Sequence, residues 1–431
     1  MKFLDRREFL VGCSAAIAAM AGSRFNTLAF AREGGDEDLL IYLFLRGGMD
    51  GLSLVPPIAG PDREYYALSR PTLRVPLTGS GAALPLDDQF GLHPAAQPLM
   101  DIFRNGELAV IHGVGLHVGS RSHFDSMQYI ENGTPGDKTT ASGWLARHLA
   151  TMDLPDEIKI PCVSLGAHQQ TSLAGDYEAL NFAELDQFRF YDVGPFNWLH
   201  AQRVALRNLY SRSGWMTEAG LQTLDALDVV QLNTSLDYRP ENGAMYPTDR
   251  FGEQLRSLAQ LIKLGLGLRV AAIDLGGWDT HVDQGVAPGG YFSSKIENLA
   301  RGLLALYTDL DTSTTNFNRR VTVIVQSEFG RRLRENGGRG TDHGHGNLML
   351  LMGANVRGGV KGMWPGLHHD QLFDGADLEV LVDYRQILSE ILVRRTGNTR
   401  IREVFPGFKC YEPLDIVRPK YRFQERVIPC S

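Results

Sequence analysis

Asp38 to Leu45, DLLIYLFL, is apolar almost without interruption and stops at the glycine-rich turn Arg46-Gly47-Gly48-Met49-Asp50-Gly51. A strand with one wet face alternates apolar and polar residues, whereas a run that is apolar at every position belongs to a strand buried on both faces. Such a strand needs a layer of helices above and below it, and the rest of the chain supplies them. Leu108 to Gly113 (LAVIHG), Arg269 to Leu275 (RVAAIDL), Arg320 to Gln326 (RVTVIVQ) and Asn347 to Met352 read as further strands. Gln254 to Leu266, Lys295 to Leu310 and Tyr384 to Arg395 carry a helical period, and Ser122 opens another helix with an acid three residues on. This alternation predicts an α/β fold with a doubly wound, mainly parallel sheet sandwiched by helices. Residues 155 to 250 mix a helical pattern near Trp198 to Tyr210 with many Asn, Gly and Pro, and read as an insertion or cap.

The amino terminus has a different character. Asp5-Arg6-Arg7-Glu8-Phe9-Leu10 precedes a weakly apolar stretch rich in Ala and Gly, which ends at Ala29-Phe30-Ala31. Paired arginines, a modest apolar core and an A-x-A end describe a twin-arginine export signal at 1–31, leaving 32–431 as a single mature domain. A membrane anchor is disfavoured because the run is short and full of small residues. Lipidation at Cys13 is disfavoured because no apolar core precedes that cysteine. The expected location is periplasmic or secreted, with the twin-arginine translocase as a partner during export.

Removing the leader takes away four basic residues against two acidic ones, so the formal net charge moves from −7 to −9. That balance argues against nucleic acid as a partner. No apolar run of about 20 residues follows the leader, so no membrane span is expected in the mature chain. Cys162, Cys410 and Cys430 remain, enough for one disulfide, and Cys410 with Cys430 is the expected pair. No C-x-x-C occurs, so a thiolate zinc site has no support.

In open parallel sheets, sites form beyond the carboxyl ends of strands. Asp50 follows the first strand, and Ser122 lies beyond the second. Asp279 and His281, in Gly276-Gly277-Trp278-Asp279-Thr280-His281, follow RVAAIDL, and Glu328 follows RVTVIVQ. Gly340-Thr341-Asp342-His343-Gly344-His345-Gly346 concentrates one acid and two of the chain's 12 histidines in seven positions. Imidazoles with carboxylates are the donors a borderline divalent ion such as zinc prefers. Each residue also has a plain structural reading: Asp50 as a turn residue, Ser122 as a helix cap, Glu328 as a partner of Arg331 or Arg332, the histidines as hydrogen bonders of a tight loop.

The ordered motifs LRGGMDGL, SRSHFDSMQYIE, ASGWLAR, GGWDTH, SEFGRR, GTDHGHG and VKGMWPGL resemble the family called domain of unknown function 1501 over most of the mature chain. That family is similar to the alkaline phosphatase and sulfatase superfamily, so the resemblance implies an alkaline-phosphatase-like core with a metal site at the carboxyl edge of its sheet. Carried over, Asp50, Asp279, His281, Asp342 and His343 become metal ligands, with Glu328 as an extra acid and His345, or else His368 or His369, as the late ligand. Ser122 becomes the nucleophile, with Arg121, Arg331 or Arg46 clamping the oxygens of a transferred group. His281 stands two residues after Asp279, where the superfamily places its histidine four after the acid; Asp283 occupies that spacing here. The implied activity is metal-dependent hydrolysis of phosphate or sulfate esters, small-molecule or polysaccharide. The implied cofactor is a divalent metal, Zn first, then Mn, Mg or Ca. The formylglycine context C/S-x-P-x-R is missing around Ser122. The alternative is a non-catalytic exported envelope or binding protein that keeps the fold and a structural metal.

Overall fold

Alternate side chains of the first strand, β1 (Leu39–Leu45), enter two different cores: Leu39, Ile41, Leu43 and Leu45 pack into one, Leu40, Tyr42 and Phe44 into the other. This follows from the period of two in a strand, and it is why no polar residue interrupts the run. The computed structural model describes residues 37–421 apart from 156–157, 159, 177–178, 186–187, 189–198, 211–213, 234–237, 313–314 and 410. The expected leader, Cys410 and Cys430 lie outside the described residues.

The strands in chain order are β1, β2 (Leu84–Pro85), β3 (Gly91–Leu92), β4 (Leu108–Gly115), β5 (Cys162–Leu165), β6 (Leu180–Phe182), β7 (Val270–Leu275), β8 (Val321–Ser327), β9 (Arg331–Glu335), β10 (Thr341–His343), β11 (Asn347–Met352), β12 (Gly359–Gly362) and β13 (Val382–Asp383). The main sheet runs β12-β4-β11-β8-β1-β7-β5-β6, with β13 added on β4; β9 with β10 and β2 with β3 form two small hairpins. β1 is parallel to β7 and β8, β5 to β6 and β7, and β12 and β13 to β4, while β11 runs antiparallel to both β8 and β4. The expectation of a mainly parallel, doubly wound sheet is met, with β11 the one reversed strand among the described residues.

Helices cover both faces. Gly290–Leu310 buries Phe292, Ile296, Leu299, Leu303, Leu306 and Leu310, spaced four and three apart, on the face shared with helix Arg250–Leu264. Tyr384–Ile391 and the shorter helices Trp144–Ala150 and Ile401–Val404 cover the other. The stretch 155–250, expected as an insertion or cap, contributes two strands to the sheet. Within it, β5 and β6 extend the parallel array, and helix Trp215–Asn233 buries Ala226, Val229 and Val230 in the first core. Strands of four and three residues carry too little pattern to reveal that contribution.

No described helix is long and apolar enough to cross a membrane.

Candidate metal centre

β1, β7 and β8 end level with one another: Leu45 lies opposite Leu275 on one side and Ser327 on the other. The loops that follow therefore leave the sheet side by side. Their close packing depends on glycine at two points. Gly47 has φ +123°, and a Cβ there would sit 2.5 Å from the Asp279 amide nitrogen; a Cβ on Gly340 would sit 2.3 Å from the His281 carbonyl carbon. These contacts bring the loop after β1 against Trp278–Asp279, and the β9–β10 hairpin against His281.

Arg331 ties the loops together. It is 1% exposed, and its guanidinium donates to the carbonyls of Gly47, Gly48, Trp278 and Thr341 and to the Asp279 carboxylate. One side chain thus fixes the ends of β1, β7 and β10. The expectation that Arg331 clamps a substrate is not met, because each of its three nitrogens already donates to the protein and its side chain is closed to solvent.

Three imidazoles converge on one carboxylate oxygen at this edge. Asp279 Oδ1 lies 3.0 Å from His281 Nε2, 3.2 Å from His343 Nε2 and 3.5 Å from His123 Nε2. His123, Asp279 and His343 each offer one donor atom within 4.8 Å of the others, and His281 Nε2 is 2.8 Å from His343 Nε2. Each Nδ1 is held from behind: His123 by Glu328 Oε1 at 2.6 Å, His281 by Asp342 Oδ1 at 3.1 Å and His343 by the Arg121 carbonyl at 2.9 Å. An Nδ1–H that donates leaves an Nε2 lone pair, and each of the three Nε2 atoms lies within 3.5 Å of Asp279 Oδ1. Among the described residues, His123 Nε2 finds no hydrogen-bond partner although it is buried.

Charge distribution matches this arrangement. Burial works against ionisation of Asp279, but the Arg331 guanidinium and the neighbouring histidines outweigh it and hold the carboxyl down to about 2. Burial likewise opposes the Glu328 charge, and the hydrogen bond from His123 with those of nearby backbone amides brings its carboxyl below the usual range. Hydrogen bonding to Glu328 raises His123, whereas burial lowers His343. Asp279 and His281 keep 46% and 39% of their side-chain surface exposed, so the cluster opens to solvent on their side.

Of the residues expected at the site, Asp279, His281, Asp342, His343 and Glu328 come together, with Asp342 and Glu328 behind the histidines. Asp50 does not join them. It is fully buried, held by Arg70 at 2.6 and 3.0 Å and by Gln284 Nε2 at 2.7 Å, so its lone pairs are committed. His345 turns away and stacks on Phe373, with ring centroids 3.9 Å apart. Arg121 is paired with Asp374 and Asp377, and Arg46 with Glu131 and Asp274, which uses the other two expected clamps. His368 and His369 begin an exposed turn, and Asp283 pairs with Arg339. Ser122 is exposed and caps helix His123–Asn132, its oxygen accepting from the Asp125 amide.

His123 is the member that the sequence reading passed over. It stands one residue from Ser122, on the first turn of a helix already placed beyond the second strand, so its position was available. The hydroxyl beside it drew the assignment.

Residues 112–404, which include every member of the cluster, match the family described as "Protein of unknown function (DUF1501)". No curated protein matches the chain. Among solved structures, the chain is similar to the C-terminal periplasmic domain of EcEptC from Escherichia coli, a complex with Zn, at 9% identity over 76% of each chain and a TM-score of 0.31. It is also similar to the PsFucS1 sulfatase from Pseudoalteromonas sp., at 11% identity over 96% of this chain and 77% of that one, with a TM-score of 0.39. Likenesses this distant carry no chemistry across. With two thirds of its length matched, the chain belongs to the DUF1501 family.

Proposed function

We propose that this protein is an exported metal-dependent hydrolase of phosphate or sulfate esters, whose metal is held by His123, His343 and Asp279, with His281 beside them. One observation carries the reading: His123, His343 and Asp279 each offer a donor atom within 4.8 Å of the others, while the Nδ1 of each histidine is anchored from behind. A tetrahedral zinc ion with bonds of about 2.0–2.1 Å separates its donors by roughly 3.3 Å. The spacings of 3.2 and 3.5 Å from Asp279 Oδ1 to His343 Nε2 and His123 Nε2 lie close to that value. Two imidazole nitrogens 2.8 Å apart also require a proton or a cation between them, because their lone pairs repel. A donor set of imidazole nitrogens with a carboxylate oxygen suits zinc better than manganese, magnesium or calcium, which favour oxygen ligands.

Bound there, the ion would supply Lewis-acid polarisation of an ester oxygen. The chain supplies the rest. Helix His123–Asn132 points its amino end toward the cluster and favours an anionic group. Ser122 accepts a bond in its cap role, which leaves its own O–H free to donate or to be deprotonated. Arg46, Arg121 and Arg331 are committed to protein acceptors, so recognition of the transferred group rests on the metal and on that helix end. The same commitment favours a second reading, a metal-holding envelope protein without turnover.

Elemental analysis of the purified chain with a panel of phosphate and sulfate esters separates the two. The hydrolase reading expects stoichiometric metal and turnover, with turnover lost in Ser122→Ala and both lost in His343→Ala. Metal without turnover on any ester supports the second reading, and absence of metal from the wild-type chain sinks both.

A further inference from the structure

We propose that Glu328 is a positioning residue for the metal centre, setting the tautomer and ring orientation of His123 without itself ligating the ion. The inference rests on the metal reading above and reassigns a carboxylate that its place at a strand end marks as a ligand.

The geometry separates Glu328 from Asp279, the other strand-end acid of the cluster. Its side chain is fully buried. Oε1 receives His123 Nδ1 at 2.6 Å and the Gly47 amide at 2.8 Å, and Oε2 receives Ser327 Oγ at 2.9 Å. Two donors occupy the two lone pairs of Oε1, so that oxygen has none left for a metal. Asp279, in contrast, presents Oδ1 to all three Nε2 atoms on the open side. Glu328 belongs to the layer behind.

The three Nδ1 anchors also differ in strength. Asp342 is a carboxylate with 51% of its side chain exposed, where water screens its charge. The Arg121 carbonyl is uncharged. Glu328 combines full charge with full burial, so its hydrogen bond is the strongest of the three and its removal is the most costly to the ligand it holds. His123 depends on it further because Phe329, the residue after Glu328, packs on the imidazole with centroids 4.8 Å apart. The two residues that follow β8 thus supply both the hydrogen bond and the surface that fix the ring.

The test compares wild type, Glu328→Gln, Glu328→Ala and Asp342→Asn. Zinc affinity is measured by competition with a chromophoric chelator, the visible spectrum is recorded with cobalt(II), and the His123 tautomer is read by nitrogen NMR of the metal-free chain at alkaline pH. Glu328→Gln keeps an acceptor for Nδ1 and is expected to weaken zinc about 10-fold. Glu328→Ala removes the acceptor and is expected to weaken it about 100-fold, with a shifted cobalt spectrum and loss of the Nδ1–H tautomer. Asp342→Asn is expected to lose less than Glu328→Gln. Wild-type zinc affinity with an unchanged cobalt spectrum in Glu328→Ala would overturn the proposal while leaving the metal reading intact. Failure of the wild-type chain to bind zinc or cobalt overturns the metal reading itself. The tautomer is read without metal, so it tests the hold of Glu328 on His123 in either case, and Glu328→Gln keeps the test valid where Glu328→Ala does not fold.

Discussion

Histidines occupy two contrasting environments in this molecule. His93, His112, His148 and His345 sit in the interior with 2–4% of their surface exposed, and burial pushes the first, third and fourth down to about 4 and His112 to about 3. They act as neutral packing groups: His112 lies against Phe90 and Trp364, and His345 against Phe373. At the sheet edge, His123, His281 and His343 keep open faces and anchored Nδ1 atoms. Histidine content therefore says little about metal; what distinguishes a ligand is an acceptor behind one nitrogen and another metal-compatible donor atom beside the other. The carboxylates divide the same way, Asp50 enclosed by Arg70 and Gln284, Asp279 shared among three imidazoles.

The widest separation between the two sets should come with acid. Each interior histidine has a folded pKa below its unfolded value near 6.5, so the unfolded chain binds more protons, and stability falls as pH drops from about 6.5 toward 4. At 1.36 kcal/mol per unit, His93, His148 and His345 each contribute on the order of 3 kcal/mol to that loss. Urea midpoints measured across this range should fall steeply, and a flat profile would remove the distinction.

Next in size is Asp50→Ala. It leaves the Arg70 guanidinium buried and unpaired, at a cost of about 3–5 kcal/mol. Because Gln284 links Asp50 to Thr280 and Thr341, beside two members of the cluster, equilibrium unfolding should register the change more strongly than metal affinity does. A normal unfolding midpoint with lost metal would return Asp50 to the ligand set.

The smallest effect is the cap. Ser122→Ala should lower stability by about 1 kcal/mol, read from the same denaturation curves. Ser122→Asp, which keeps a capping oxygen, should recover that stability without restoring any turnover that depends on the hydroxyl.

Much of the fold was legible because it rests on local periodicity. The strands at 39–45, 108–115, 270–275, 321–327 and 347–352 and the principal helices fall where apolar spacing places them, within a few residues. β5 and β6 were not legible, since strands of four and three residues carry too little pattern among turn residues. At the site, acids and histidines next to strand ends were identifiable, but their roles were not. Asp50 and Asp279 both follow apolar strands and glycines, and only the partners that the fold delivers tell them apart.

The clearest division lies in GTDHGHG. The sequence by itself determined that a dense acid–histidine segment precedes an apolar strand, because residue type and strand pattern are local properties. In a wholly parallel sheet, a segment before a strand lies at the amino edge, away from Asp279. Tertiary structure reverses β11, pairing it antiparallel with β8 and β4 through the β9–β10 hairpin, and so brings its amino end to the carboxyl edge of the others. Strand direction is settled by long-range hydrogen bonding and by burial on both faces, neither of which is written in the seven residues. That reversal places His343 beside His123 and His281 and leaves His345, two positions on, packed against Phe373.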